Sequence, residues 1–265
     1  MRPPAIASCR RHSARQNLSR FSALPYGNPQ LELQTTITGG LGVNTGFADV
    51  HNLIWKLDAV LRGFASTKLL ETYEAERRPV AIQNAGQSSL NEERMDQLGA
   101  CINPGGVGQE KERLTDPTFQ KLVQEGVQLN APHFDSLDLQ LGYVYGQPRD
   151  AEKKHLGARL PHIYIDEAKK KSVLDLVDGS KFAIFSPTHE LWSDVEQSMD
   201  DTIRAWVKPI ILGRDFDVNA GDAEWLHRMF AIGLTRVVLV RPDQHIAGFV
   251  ESGSACHAML RKLFQ

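Results

Sequence analysis

Thr35 to Gly63 reads "TTITGGLGVNTGFADVHNLIWKLDAVLRG". Gly39, Gly40, Gly42 and Gly46 crowd its first half, and a long amphipathic run fills the second. From Gly46 the apolar residues Phe47, Val50, Ile54, Leu57 and Leu61 recur at steps of three and four. That is one face of a helix, which predicts α structure over Gly46–Arg62, ended by Gly63. A glycine loop running into a helix lets backbone approach a flat or anionic ligand. The helix's free N–H groups then favour negative charge there. The spacing Gly40, Gly42, Gly46 is neither the dinucleotide GxGxxG nor a P-loop. Taken alone, a structural turn with a helix cap explains it as well as a ligand loop does.

Outward from this stretch, "STKLLETYEAERRPVAIQNAGQSSLNEERM" predicts a second helix capped by Ser66 or Thr67, with Pro79 expected to kink or split it. Asn103–Glu110 reads as a loop and "DPTFQKLVQEGVQL" as a short helix. Leu137–Gly146 alternates like a strand, and the polar stretch from Pro148 to Leu156 predicts a domain boundary. Beyond it, short β runs "HIYI", "KFAIFSP", "KPIILGR", "TRVVLVRP" and "HIAGFV" alternate with helical runs near Glu190–Trp206, Ala223–Ile232 and Ala255–Phe264. Such alternation implies an α/β layer fold. A small sheet with helices on both faces, a hairpin through "RPDQH" and a terminal helix predict a thioredoxin-like domain without a redox dithiol. The predicted division is a basic leader over 1–38, a helical segment over 39–150 and the α/β domain over 151–265.

Bulk properties narrow the function. The chain has 265 residues, 42% of them hydrophobic and 23% charged, with a formal net charge of -2. That balance gives no electrostatic case for nucleic acid, and no apolar run is long enough to span a membrane. Cys9, Cys101 and Cys256 are far apart, and the nine histidines form no metal-binding spacing. The Arg- and Ser-rich start, with no acid before Glu32, has the composition of an organellar transit peptide or a disordered tail. The default expectation is a cytoplasmic protein.

The string "GGLGVNTGFADVHNLIWKLDAVLRG…LLETYEAERRPVA" resembles the second flavin-contacting segment of the class A FAD-dependent aromatic monooxygenases, of the phenol hydroxylase and para-hydroxybenzoate hydroxylase type. "LGARLPH", Leu156–His162, and the chain beyond it resemble the C-terminal thioredoxin-like domain of phenol hydroxylase relatives. The resemblance implies that Gly40, Leu41, Gly42, Val43 and Asn44 bind FAD, facing N1 and C2=O of its ring. It further implies NADPH as electron donor and hydroxylation of a small phenolic or polyketide-type aromatic through a flavin C4a-hydroperoxide.

The sequence departs from the family pattern. It contains no βαβ unit with GxGxxG, and "GNPQLELQTTIT" holds no Gly-Asp ahead of the glycine loop. The resemblance therefore implies the C-terminal portion of such an enzyme, lacking the ADP-binding half, with weak or no FAD binding on its own. Two other readings stand beside this one. One is a cofactor-free enzyme using Asp49, His51, Tyr73 and Glu76 as acid–base groups. The other is an interaction module that forms a homodimer or pairs with a full-length monooxygenase. Phe47, Ile54 and Trp55 are expected to be partly exposed.

Overall fold

The computed structural model describes residues 40–102, 115–146, 155–166, 168–216 and 235–265. The basic leader, the loop at 103–110, the heart of the boundary near 150 and the helix expected at 223–232 lie outside these residues.

Helix α1 spans Leu41–Leu61, five residues earlier than the apolar period indicates. Gly40 occupies the N-cap with a left-handed φ of 66°. Gly63, at φ 73°, closes the other end: its N–H donates to Val60 O and that of Phe64 to Ala59 O. This Schellman arrangement is why the helix stops where a glycine stands. Helix α2 runs unbroken through Pro79 over Lys68–Ile102, so the expected split does not occur. The hydroxyl of Ser66 donates to the Gln265 carbonyl, tying the start of α2 to the chain's last residue. Helix α3 (Pro117–Leu129) forms where expected, capped by Asp116 with Pro117 at its first position. Short helices α4 (Ala131–Phe134) and α5 (Leu137–Leu141) come next.

The strand expected at Leu137–Gly146 is thus helical in its first half. Leu137 and Leu141 are exposed and meet no strand, so the backbone bonds to itself, Gln140 N–H to Ser136 O and Gly142 N–H to Asp138 O. Only Val144 makes an isolated bridge, to Ala158. "HIYI" likewise yields a single bridge, Tyr164 to Ser172.

The four remaining apolar runs form one sheet. β1 (Phe182–Ser186) and β2 (Val207–Ile211) are parallel, connected through α6 (His189–Gln197) and α7 (Asp201–Ala205). β3 (Val237–Val240) runs antiparallel to β1, and β4 (Ile246–Val250) antiparallel to β3, giving the order β2-β1-β3-β4. That is the thioredoxin-like arrangement expected. Pro209 is tolerated because β2 is an edge strand. The β3–β4 turn closes with Gln244 N–H on Arg241 O, and Gln244 takes φ 65°.

Alternate residues of the strands feed two cores. Phe182, Ile184, Val237 and Leu239 pack with Trp192, Trp206 and Leu260, and with Trp55 and Ala59 of α1. Ala183, Phe185, Val238 and Val240 pack with Leu160, Val173 and Phe216. The first face is covered by helices, α8 (Gly253–Phe264) among them. The second is covered by irregular chain around Leu160–Val177 and a short 3-10 turn at Val173–Leu176, not by a described helix. Among the described residues, no helix is long and apolar enough to cross a membrane.

Helix α1 is turned against its apolar pattern. Val43, Phe47, Val50, Ile54 and Leu61 are all exposed, Phe47 by 70%. Its buried residues are Leu41, Asn52, Trp55, Lys56 and Ala59. Exposure of Phe47 and Ile54 was expected. Trp55, expected to share it, is instead 3% exposed and meets Phe182 edge-on at 5.4 Å. On α2 the buried residues Arg77, Val80, Asn84, Ser88 and Asn91 recur at helical spacing, so that face too is mostly polar.

Candidate functional site

The first turn of α1 contains the residues singled out for cofactor binding. Leu41, Gly42, Val43 and Asn44 are the opening of the helix itself, not a loop ahead of it. Gly40, Gly42, Val43 and Asn44 are exposed, and Leu41 is buried. No side chain caps the turn and no acidic residue lies within it. The leading N–H groups of an α-helix have no partner inside the helix, so this end presents donors the helix does not use and the positive end of the dipole. The left-handed φ of Gly40 explains the glycine, and a Cβ there would meet nothing within 4 Å. Asn44 Nδ2 donates to Gly40 O at 3.1 Å, and Thr45 Oγ1 to Leu41 O at 2.6 Å. Asn84 Nδ2 of α2 donates in turn to Thr45 Oγ1 at 2.7 Å.

Further along α1 lies a cluster of buried charge. Glu76 accepts four hydrogen bonds. Lys56 Nζ donates at 2.8 Å and Asn52 Nδ2 at 2.7 Å, and Arg241 grips both carboxylate oxygens at 2.6 and 2.9 Å. Asp243 accepts from Arg241 at 3.0 and 2.6 Å and from Asn52 at 3.2 Å. Asn52 Oδ1 accepts from Lys56 at 2.8 Å, so the whole Asn52 amide is engaged. Beside this cluster Arg77 Nε donates to Asp49 at 2.7 Å and Arg77 Nη1 to the Tyr145 hydroxyl at 3.3 Å. Lys56, Arg77 and Arg241 face Asp49, Glu76 and Asp243, three charges against three. Arg241 also lies over the rings of Trp55 and Tyr145, 5.1 Å from each. These groups join the helix pair to the β3–β4 turn.

The environment sets their ionisation. Burial would raise the Glu76 carboxyl, but the hydrogen bonds and charge of Arg241 hold it down at about 2. Burial lowers the Lys56 ammonium to about 8 despite the neighbouring Glu76. Burial lowers His245 to about 4. Its Nδ1 lies 2.8 Å from Gly157 O, which can only accept, so the neutral ring carries its proton on Nδ1. Burial likewise raises the Tyr145 phenol.

This placement decides the acid–base candidates. Glu76 is locked as a carboxylate by Arg241 and Lys56, and Asp49 is tied to Arg77. His51 is exposed, and burial raises the Tyr73 phenol. A shallow hollow of about 280 Å³ is lined by Phe64, Asp200, Thr202, Ile203, Arg261, Phe264 and Gln265. It lies beyond the far end of α1, roughly 30 Å along the helix from Gly40. No group of three His, Cys, Asp or Glu side chains suits a metal among the described residues. Sequence reading missed Arg241, Asp243, His245 and Tyr145. The one available signal was the charged "RPDQH" directly after the wholly apolar "VVLV".

Residues 34–88 match a family described as an FAD binding domain. Phenol 2-monooxygenase of Pseudomonas sp. (strain EST1001) is 31% identical over 244 residues, covering 80% of this chain and 40% of that protein. Among solved structures, the rebeccamycin biosynthetic enzyme RebC with reduced flavin shares 27% identity at a TM-score of 0.63, over 85% of this chain and 42% of that one. The flavin-dependent monooxygenase PieE, in complex with FAD and substrate, has the same fold at a TM-score of 0.72 and 22% identity, over 87% and 46%. The chain is thus similar to FAD-dependent aromatic monooxygenases, and spans about two fifths of the length of the curated relatives it matches.

Proposed function

We propose that the chain forms part of an FAD-dependent monooxygenase that hydroxylates a phenolic or polyketide-type aromatic, with NADPH as electron donor. The observation that carries this reading is the left-handed-glycine start of α1, with no side-chain cap among the described residues, which lies inside the segment matching an FAD-binding family. Bound FAD would supply the oxygen-activating chemistry. The residues present fit that group. Exposed amides stand at the positive end of a 21-residue helix, with no carboxylate in the first turn to repel an electron-rich ring edge. In this reading the exposed Gly42 and Val43 would offer their amides to the flavin ring, and Gly40 would permit close backbone approach. The division into a helical part over 39–150 and an α/β domain over 151–265 is proposed on the same basis.

The test is an NMR titration of the purified chain with lumiflavin, the ring system alone, and with FAD. Weak but saturable amide shifts confined to residues 40–45, and lost in Gly40→Glu, are expected. No shift in that turn with either ligand overturns the reading.

The exposed stripe on α1 favours a second, compatible role in assembly. Apolar residues exposed together on one helix face mark an interaction surface. We propose that it is covered by a second copy of the chain. Sedimentation of the chain alone should show self-association, and a monomer at high concentration overturns this role.

A further inference from the structure

Thr45 and Asn84 form a hydrogen-bonded chain that ends on the first turn of α1. The Thr45 hydroxyl has one proton, and it goes to the Leu41 carbonyl at 2.6 Å. Thr45 Oγ1 must therefore accept from Asn84, which fixes the Asn84 amide with its NH₂ group towards Thr45, 2.7 Å away. Asn84 Oδ1 is then left sealed from solvent with no partner among the described residues, on a residue only 8% exposed. A side chain that only filled space between α1 and α2 would avoid that cost by being apolar. Asn84 keeps it, and what it gains is one donor aimed at Thr45.

From this geometry we infer that Thr45 and Asn84 are positioning residues for the flavin-facing turn. The inference rests on the reading that the start of α1 meets the flavin ring. An opening turn frays readily because its leading amides have no internal partners, yet a donor set works only if held within a fraction of an ångström. Leu41 is the turn's one buried residue, and its carbonyl is where the chain of bonds attaches. The brace crosses from the middle of α2, so the turn is tied to a second helix. Asn44, which donates to Gly40 O, closes the same turn from the exposed side.

The test uses Thr45→Val and Asn84→Leu, each close to its parent in size, and Thr45→Ser, which keeps the hydroxyl. Without flavin, Cα shifts and amide order parameters are measured along α1. Thr45→Val and Asn84→Leu should lose helical order over residues 41–45 while α1 beyond Ala48 stays unchanged. Thr45→Ser should keep it. An ordered first turn in both variants overturns the brace. Lumiflavin titration is then read separately. Binding should weaken about fivefold to tenfold in the two variants and recover in Thr45→Ser, the loss expected for one hydrogen bond. A loosened turn that binds lumiflavin as well as the parent chain overturns the positioning role alone. A parent chain that ignores lumiflavin overturns this inference and the flavin reading together.

Discussion

The two faces of α1 invert the usual order of a surface helix. One carries Val43, Phe47, Val50, Ile54 and Leu61 and is open to solvent. The other carries Asn52 and Lys56, both wholly buried, beside Trp55 and Ala59. Burial here follows what each face can be matched to. The inner face meets Glu76 and Asp243, which together engage the side chains of Asn52 and Lys56. The outer face has nothing to satisfy and gains only from losing water. Buried charge is tolerable when paired and costly when one partner is removed. The inner face should therefore respond sharply to single substitutions, and the outer face hardly at all.

The largest effect is expected for Glu76→Ala. It leaves Lys56 without a carboxylate and Arg241 with Asp243 alone, and should destabilise by about 3–5 kcal/mol in chemical denaturation. Pairing Glu76→Gln with Lys56→Met should recover part of that loss, because a buried ion pair replaced as a unit is far less costly than one broken, and Arg241 keeps Asp243. A double variant as unstable as the sum of its singles would break the comparison.

Acid should attack the inner face next. His245 is lowered to about 4 from 6.5, so its contribution is whole above pH 6.5 and is lost as the pH falls through 4. Glu76 is lowered to about 2 from 4.5, so its contribution is whole above pH 4.5 and is lost as the pH falls through 2. Both have the same sign, and the His245 limb amounts to about 3 kcal/mol. Stability tracked by circular dichroism from pH 7 to pH 3 should decline in two stages. His245→Gln should remove the earlier one.

Trp55→Phe should cost about 1 kcal/mol or less, although the residue is buried. The indole Nε1 has no hydrogen-bond partner, so removing it offsets part of the lost packing. The smallest effect belongs to the outer face. Phe47→Ser and Ile54→Ser should each change stability by within about 0.5 kcal/mol, while reducing self-association measured by light scattering.

Much of the α/β part is readable from the sequence. Phe182–Ser186, Val207–Ile211, Val237–Val240 and Ile246–Val250 are short apolar runs bounded by turn residues, and each pairs with a neighbour. Leu137–Leu141 alternates as well but has no sheet edge to join, and a period of two cannot supply one. Periodicity also shows that Phe47, Val50 and Ile54 share a face without showing which way that face points. Orientation is decided by Arg241 meeting Glu76 across 165 positions of sequence, which no local pattern records. The turn at Gly40 was visible as a run of glycines. Its brace was not, because Asn84 looks like any polar residue on a helix surface.

The most direct measurement is equilibrium denaturation of Glu76→Ala beside the double variant Phe47→Ser/Ile54→Ser, at neutral pH and low protein concentration. The account predicts a loss of about 3–5 kcal/mol in the first and a near-parental curve in the second. A parental curve for Glu76→Ala together with a collapsed double variant would contradict it, since the apolar face of α1 would then be the one holding the fold together.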